Sequence, residues 1–243
     1  MVLAIDIGNT RIKAAVFEQS NFVALFSFGN SLLKKNISDI LHSYPEVTDL
    51  VIASVVNPAV ADFGFLDSRI AVSFIDQNSA FPFTNEYQTP QTLGIDRMVL
   101  ASGAVLRYPG QNRLVIDAGT CITYDFIDAG NVYRGGAISP GLRLRYESLH
   151  NFTAKLPLLE REDPKHIIGD STHDSIHSGV VNGAALEIDG FINSYRSDYP
   201  NFIIILTGGD GEFLANRLKN TIFANSNFLV ESLNQTFQYQ SNK

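Results

Sequence analysis

The run Leu3-Ala4-Ile5-Asp6-Ile7-Gly8-Asn9 is restated 111 residues later as Leu114-Val115-Ile116-Asp117-Ala118-Gly119-Thr120. Each copy leads into a second β-rich run, residues 12–17 in the first and 122–127 in the second. Self-similarity half a chain apart is the mark of a duplicated unit. Chance is the competing explanation, because the motif is short and turns favour Asp and Gly on their own account. A chain of 243 residues has room for one large domain or two small ones. The repeat selects two α/β halves, placed at residues 1–112 and 113–243.

Composition narrows the class. The chain is 45% hydrophobic and 18% charged, as soluble globular proteins are. Its net charge of −7 repels a phosphate backbone, which argues against a broad electrostatic nucleic-acid surface. A single cysteine, Cys121, permits no internal disulfide, and no Cys/His run has the spacing of a structural zinc site. No run reaches the ~18 apolar residues of a membrane span. The first residues lack a basic leader and read as a buried strand rather than a signal peptide. A reducing cytoplasm is the expected compartment, with no membrane or nucleic-acid partner.

Residues 2–7, 12–17 and 21–28 are short apolar runs punctuated by Gly/Asn turns, which predicts three successive antiparallel strands. Residues 31–44 carry Leu32, Leu33, Ile37, Ile40 and Leu41 at helical spacing, with Ser31 as N-cap. Residues 50–55 and 70–75 read as strands, and 58–66 as a helical segment. The stretch 76–93 has no clear period, and a loop that long in a compact domain is often functional. A helix is expected over 94–108, and another from 172 to 195, where Ile176, Val180, Ala184 and Ile188 recur in steps of four. Residues 202–206 form an apolar strand entering Thr207-Gly208-Gly209, residues 212–218 read as helical, and 234–243 as a polar tail with a mobile end.

The repeated corner has a chemistry. A buried strand ending in Asp delivers a carboxylate to the strand tip, where it can hold a metal ion and its waters. The neighbouring Gly removes the Cβ that would keep a ligand from the backbone. Amides of the Gly8-Asn9-Thr10 turn, the Thr10 hydroxyl, and the cations Arg11 and Lys13 can all address phosphate oxygens. Taken singly, Gly8-Asn9 reads first as an ordinary hairpin turn, and it is the pair of corners that favours phosphate. Two such corners facing each other would bracket a triphosphate. No P-loop or dinucleotide glycine motif is present.

Asp6-Ile7-Gly8-Asn9-Thr10-Arg11-Ile12-Lys13 resembles the Asp-x-Gly-Asn-Thr-x-x-Lys signature of type III pantothenate kinases, members of the actin, sugar-kinase and heat-shock ATPase fold group. Further blocks follow in the same order. Tyr87-Gln88-Thr89-Pro90 with Gly94-Ile95-Asp96-Arg97 is similar to the family's Tyr-x-x-Pro and Gly-x-Asp-Arg segment. Asp117-Ala118-Gly119-Thr120 with Thr123 resembles its second phosphate block, and residues 135–141 its Gly-rich turn. Thr172, ahead of Ser175-Ile176 and Gly179, matches its late substrate-contacting threonine. Ile95 stands where a smaller residue is common, which bears on packing.

The resemblance implies two duplicated ribonuclease H-like (actin-like ATPase) domains with mixed sheets and an interdomain cleft that holds ATP. It implies phosphorylation of pantothenate to 4'-phosphopantothenate, the first step towards coenzyme A. Asp6, Ile7, Gly8, Asn9, Thr10, Arg11, Ile12, Lys13 and Thr120 would bind ATP. Tyr87, Gly94, Ile95, Asp96, Arg97 and Thr172 would line the substrate pocket. Asp96 would accept the proton, and Asp117 would hold a monovalent cation, potassium or ammonium. Magnesium would accompany ATP, and the chain would form a homodimer through the helix from Thr172. Taken alone, Asp96 reads first as a helix-start carboxylate paired with Arg97. Two other functions share these residues: a kinase of the same fold acting on another small alcohol, and a nucleotide-binding accessory factor in transcription.

Three further features read as structural. Thr207-Gly208-Gly209 resembles the adenosine-side loop of the fold group, though a plain strand-to-helix turn explains it as well. His173 and His177, four apart on a helix, lack a third ligand and belong to a solvated or half-buried face. Cys121 reads as a small buried apolar residue.

Overall fold

The computed structural model describes residues 1–55 and 63–242, grouped into two compact units. The first gathers Met1–Pro109, Asn131–Tyr133 and the C-terminal segment from Asn227. Its sheet is built from β1 (Val2–Ile7), β2 (Ile12–Glu18), β3 (Asn21–Phe28), β4 (Asp49–Ser54) and β5 (Ala71–Ile75), in the order β3-β2-β1-β4-β5. β1, β2 and β3 run antiparallel as the sequence predicts, while β4 and β5 continue parallel to β1. Central β1 is buried from Leu3 to Ile7, which explains its unbroken apolar sequence.

Side chains alternate across the pleat, so the two faces can be told apart. Leu3, Ile5, Ile7, Ile12 and Ala14 share one apolar cluster with Ile37 and Ile40 of α1 (Leu33–Ser43). Ala4, Asp6, Lys13 and Ala15 belong to the opposite face. The helices outside that cluster, α2 (Ile95–Arg107) and α7 (Phe228–Ser241), pack on the same strands. Small Ala4 and Ala15, partners across β1 and β2, let a helix lie close.

Several local expectations change here. Ser31 caps nothing: the chain enters α1 through a single 3-10 turn, Asn30–Leu32, in which Leu32 N–H donates to Gly29 O at 3.0 Å. The helical segment expected over 58–66 lies outside the described residues up to 62, and 63–66 form a turn. In the 76–93 stretch only Thr84–Asn85 (β6) pairs, with Val132 and Tyr133. Residues 234–241 are no polar tail. They complete α7, with Asn234 and Thr236 buried.

Thr236 hydroxyl donates to Ser102 Oγ at 2.7 Å, and Gly103 of α2 admits the backbone of Ser232. Polar side chains therefore line a buried helix contact, which hides α7 from a reading based on apolar periodicity. Arg107 and Glu231 join the same two helices at 2.9 Å. The division expected at 112/113 keeps this helix with the second half, whereas the structure groups it with the first.

The second unit comprises Gly110–Gly130 and Arg134–Ser226. Its strands are β7 (Arg113–Ala118), β8 (Cys121–Ile127), β9 (Val132–Pro140, whose first two residues group with the first unit), β10 (Ile203–Thr207) and β11 (Phe223–Ala224). Their order is β11-β10-β7-β8-β9, with β7 antiparallel to β8 and parallel to β10. Read from its third strand inward, this is the strand order of the first sheet, with the two Asp-x-Gly corners at equivalent tips.

α3 (Leu142–Asn151) follows β9. α4 (Thr172–His177) runs through a π turn, Ser178–Asn182, into α5 (Gly183–Asp198). An ideal helix drifts when apolar residues recur every four positions. The wider π turn underwinds the chain, so Ile176, Val180, Ala184, Ile188 and Ile192 all reach one core with Leu114, Ile116, Tyr124 and Phe126. Residues 135–140 lie within β9 rather than in a turn: a Cβ at Gly136 would overlap the Tyr124 carbonyl, so glycine there permits close strand passage. The helix after β10 is shorter than expected, α6 (Gly211–Ala215).

Gly103→Ala should destabilise the protein by about 1–3 kcal/mol, since its Cβ would lie 2.9 Å from the Ser232 Cα. Gly190→Ala, within α5 with nothing inside 4 Å, should instead stabilise by up to ~1 kcal/mol. Urea unfolding midpoints compare the two, and equal shifts would contradict the close-contact assignment.

Candidate active site

The first corner begins with Asp6, buried to 8% exposure near the end of β1. Its cross-strand partners are Lys13 on β2 and Ala53 on β4, so a carboxylate and an ammonium group share one row of one face. The chain then turns: Gly8 N–H donates to Arg11 O at 3.1 Å, and Asn30 Nδ2 donates to Gly8 O at 3.3 Å. Asn9, Thr10 and Arg11 are exposed on this turn. Ile7 and Ile12 flank it with their side chains in the core, so they offer a ligand only backbone groups.

The second corner has the same strand tip with a different neighbour. Asp117 of β7 pairs across the ladder with Thr123 of β8, a hydroxyl where the first corner has Lys13. On its other side it pairs with Thr207 of β10. Gly119 N–H donates to Cys121 O, and Thr120 O accepts from Gly141 N–H at 3.0 Å. Gly208 takes φ +96°, and a Cβ there would lie 2.5 Å from both the Ala118 carbonyl carbon and Asp117 Oδ1. Only glycine meets both demands. Ala118 O accepts from Asp210 N–H at 2.9 Å, tying this loop to the corner. Thr120 is exposed, and Cys121 is half-exposed rather than buried.

Gly208 and Gly141 were not singled out for this corner by the sequence. The signal was the Thr207-Gly208-Gly209 run, but only the parallel pairing of β10 with β7 shows that it closes on Asp117.

At the start of α2, Leu93 and Ile95 are buried anchors and Asp96 lies between Gly94 and Arg97. Asp96 Oδ1 accepts from the Arg97 backbone N–H at 2.8 Å. Gly94, lacking a Cβ, leaves room for that carboxylate to fold back. Burial raises the Asp96 pKa above the usual carboxylate value, outweighing the Arg97 amide and the Arg97 charge, which both lower it. The Arg97 side chain is itself buried, and its guanidinium lies 5.8 Å from the centre of the Tyr87 ring. Tyr87 meets Tyr133 edge to face at 6.1 Å, and Tyr87 N–H donates to Asn85 Oδ1 at 3.0 Å. Asp96, Arg97 and Tyr87, separated in sequence, thus form one group within the first unit.

Thr172 opens α4 behind the N-cap Ser171, whose Oγ accepts from Asp174 N–H. It lies in the wall of a cavity of about 920 Å³, together with Arg145, Leu149, Gly169, Ile176 and Val180. The two helix histidines part company. His177 is buried against the Tyr146 hydroxyl, with 2.8 Å to its Nδ1, while His173 is exposed. Among the described residues no three His, Cys, Asp or Glu side chains cluster as metal ligands.

The family model for type III pantothenate kinase matches residues 2–194. Among curated relatives, the type III pantothenate kinase of Flavobacterium johnsoniae is 62% identical over 99% of this chain and 98% of its own. That of Flavobacterium psychrophilum is 56% identical over 99% and 100%. That of Bacteroides fragilis strain YCH46 is 37% identical over the whole of both chains. Among solved structures, a Baf family protein from Campylobacter jejuni, solved under the name of a transcriptional activator, superposes with a TM-score of 0.64 at 22% identity, covering 99% and 100% of the two chains. A ROK family glucokinase from Streptomyces griseus, in complex with glucose and AMPPNP, gives 0.53 at 14% identity over 100% and 99%. Both structures share the fold with this chain.

Burying the Asp96 charge costs folding energy. A raised folded-state pKa means that the native state holds more protons than the unfolded one between the two pKa values, so stability falls as pH rises through that window. Asp96→Asn keeps the acceptor oxygen and removes the charge. Its Tm should exceed the parent's at neutral pH, and the advantage should shrink as pH falls through the Asp96 transition. A variant less stable than the parent at pH 7 would contradict the desolvation argument.

Proposed function

This chain belongs to the type III pantothenate kinase family, and from that premise we propose how its residues divide the work. The enzyme transfers the γ-phosphoryl group of ATP to pantothenate, giving 4'-phosphopantothenate in the first step of coenzyme A biosynthesis. Phosphoryl transfer asks a protein for a held triphosphate, compensating cations, and a group that positions or deprotonates the acceptor hydroxyl.

Asp96 takes the last role. A carboxylate whose pKa is raised by burial accepts a proton more readily than an exposed one. The Arg97 amide holds one of its oxygens and leaves the other to the substrate. As the primary hydroxyl of pantothenate loses its proton to Asp96, its oxygen forms the bond to the γ-phosphorus, and the bond to the bridging oxygen breaks with ADP leaving. Arg97 and Tyr87 form a polar and aromatic wall beside that hydroxyl. Gly94 and Ile95 contribute backbone, since the Ile95 side chain is buried. The Asp96 carboxylate held by the Arg97 amide, with the Arg97 guanidinium over the Tyr87 ring, is the observation that carries the reading.

Amides and hydroxyls of Gly8, Asn9, Thr10 and Thr120, with Arg11 and Lys13, address the phosphates. Asp6, beside Lys13 and backed by small Ala53, suits the waters of a magnesium ion accompanying ATP. Asp117 has hydroxyl-bearing Thr123 and Thr207 as its ladder partners where Asp6 has Lys13, which suits potassium or ammonium. Such ions neutralise charge on the transferring group. A cytoplasmic homodimer completes the reading. Exposed Ile167, Ile168 and Leu186 near the α4–α5 helix support a protein-covered surface there, and sedimentation should return the mass of two chains.

A coupled ATP assay tests the whole. Consumption of ATP should require pantothenate and should drop when sodium replaces potassium; equal rates in both salts would remove the cation from Asp117. Asp96→Asn should lower kcat by about 10²- to 10⁴-fold while binding of both substrates persists. Arg97→Lys should raise the KM for pantothenate about tenfold and leave that for ATP unchanged, because lysine keeps the charge but loses the fork.

A further inference from the structure

Tyr87 belongs to a stretch of chain with little regular structure, yet both its backbone and its ring are held. From Asp76 to Leu93 the one strand is β6, Thr84–Asn85, which runs parallel to Val132 and Tyr133. Thr84 N–H donates to Asn131 O at 2.9 Å and Glu86 N–H donates to Tyr133 O at 3.2 Å, so Asn85 sits between two ladder bonds. Its side chain then reaches forward. Asn85 Oδ1 accepts from Tyr87 N–H at 3.0 Å, the two-residue span of an Asx turn. That bond bends the chain as it leaves the ladder and sets the point from which the Tyr87 side chain starts.

The ring is held from the same ladder. Tyr133 is fully buried, and it meets the Tyr87 ring edge to face with centres 6.1 Å apart and the Phe83 ring at 6.0 Å. Phe83 packs in turn on Phe81 at 5.4 Å, and Gln240 of α7 donates to the adjacent Ala80 O at 2.9 Å. An edge-to-face contact fixes the tilt of a ring as well as its place. The Arg97 guanidinium lies 5.8 Å from the centre of that same Tyr87 ring. A cation is attracted to the face of an aromatic ring, so the tilt of Tyr87 decides where this guanidinium rests. All of these residues belong to the first unit.

We propose that Asn85 and Tyr133 are positioning residues for the kinase reaction: without touching pantothenate, they aim Tyr87, and through it Arg97, at the substrate. This rests on the reading above, in which Tyr87 and Arg97 form the wall beside the acceptor hydroxyl. It adds two residues that lie outside every motif block. A substrate contact carried on a loop is precise only when neighbouring groups lock its backbone and its rotamer, and here one short ladder supplies both locks.

Steady-state kinetics of the full chain test this. Asn85→Ala should raise the KM for pantothenate about 3- to 10-fold, the effect of one lost hydrogen bond, and leave the KM for ATP unchanged. Asn85→Asp keeps the acceptor oxygen and should restore most of that loss. Tyr133→Leu should raise the same KM, and where loss of the buried ring prevents folding, half-buried Asn85 carries the test alone. The decisive readout is a double-mutant cycle. Tyr87→Leu should itself raise the KM for pantothenate, and adding Asn85→Ala to it should change nothing further. An unchanged KM in Asn85→Ala, a fall in kcat with both KM values at the parent level, no rescue by aspartate, or additive effects in the cycle would each overturn the proposal, since a turn that only supports the fold gives one of these. Tyr87→Leu separates the two levels. A raised KM in that variant with additive effects sinks the positioning role alone, whereas a parent-like KM removes Tyr87 from the substrate and sinks both.

Discussion

In the two central strands the carboxylate stands where the strand's cover ends. β1 and β7 are buried along nearly their whole length, and each places its single acid one or two residues before the chain turns away. Placed earlier, that charge would sit in the core unpaired, at a cost of several kcal/mol. At the tip it can meet a cation, water or ligand. At the second corner Gly119 and the loop carrying Gly208 both bring backbone close to the Asp117 carboxylate.

The two corners share geometry and differ in charge. Asp6 has an ammonium group as cross-strand neighbour, while Asp117 has the hydroxyls of Thr123 and Thr207 on its two sides. The ladder sets an ammonium-bearing residue beside one carboxylate and hydroxyl-bearing residues beside the other. One ladder partner thus differs between the corners while the strand order around them is the same.

The strand core and both corners were legible because they depend on local sequence: apolar runs, Asp-x-Gly and turn residues. Asp96, Arg97 and Tyr87 were legible through motif resemblance, but the raised pKa of Asp96 follows from its burial at the start of α2, which no local pattern records. What stayed hidden was long-range. Gly208 closing on Asp117 spans 91 residues of chain. α7 looked like a polar tail because its contact with α2 uses Gly103, Ser102, Ser232 and Thr236 in place of leucines. Small side chains let two helices approach closely and be buried against each other without an apolar stripe. Ser31 failed as a cap for the opposite reason, since a backbone 3-10 turn had already used the first free amide.

The net charge of −7 would oppose binding of two anionic substrates if charge acted only at a distance. Several cations of the chain are each placed beside a neighbour. Lys13 is the ladder partner of Asp6, the Arg97 guanidinium lies 5.8 Å from the Tyr87 ring centre, and Arg145 is bonded to Glu187. Each is partly neutralised or screened by its neighbour, so its long-range field is weak and its donor geometry is fixed. Such an arrangement gives up electrostatic steering and gains selectivity, because an anion is rewarded only when its oxygens match the donors that remain. For an enzyme that must choose one small carboxylate among the many anions of a cell, directed donors on an acidic protein discriminate better than a basic surface would.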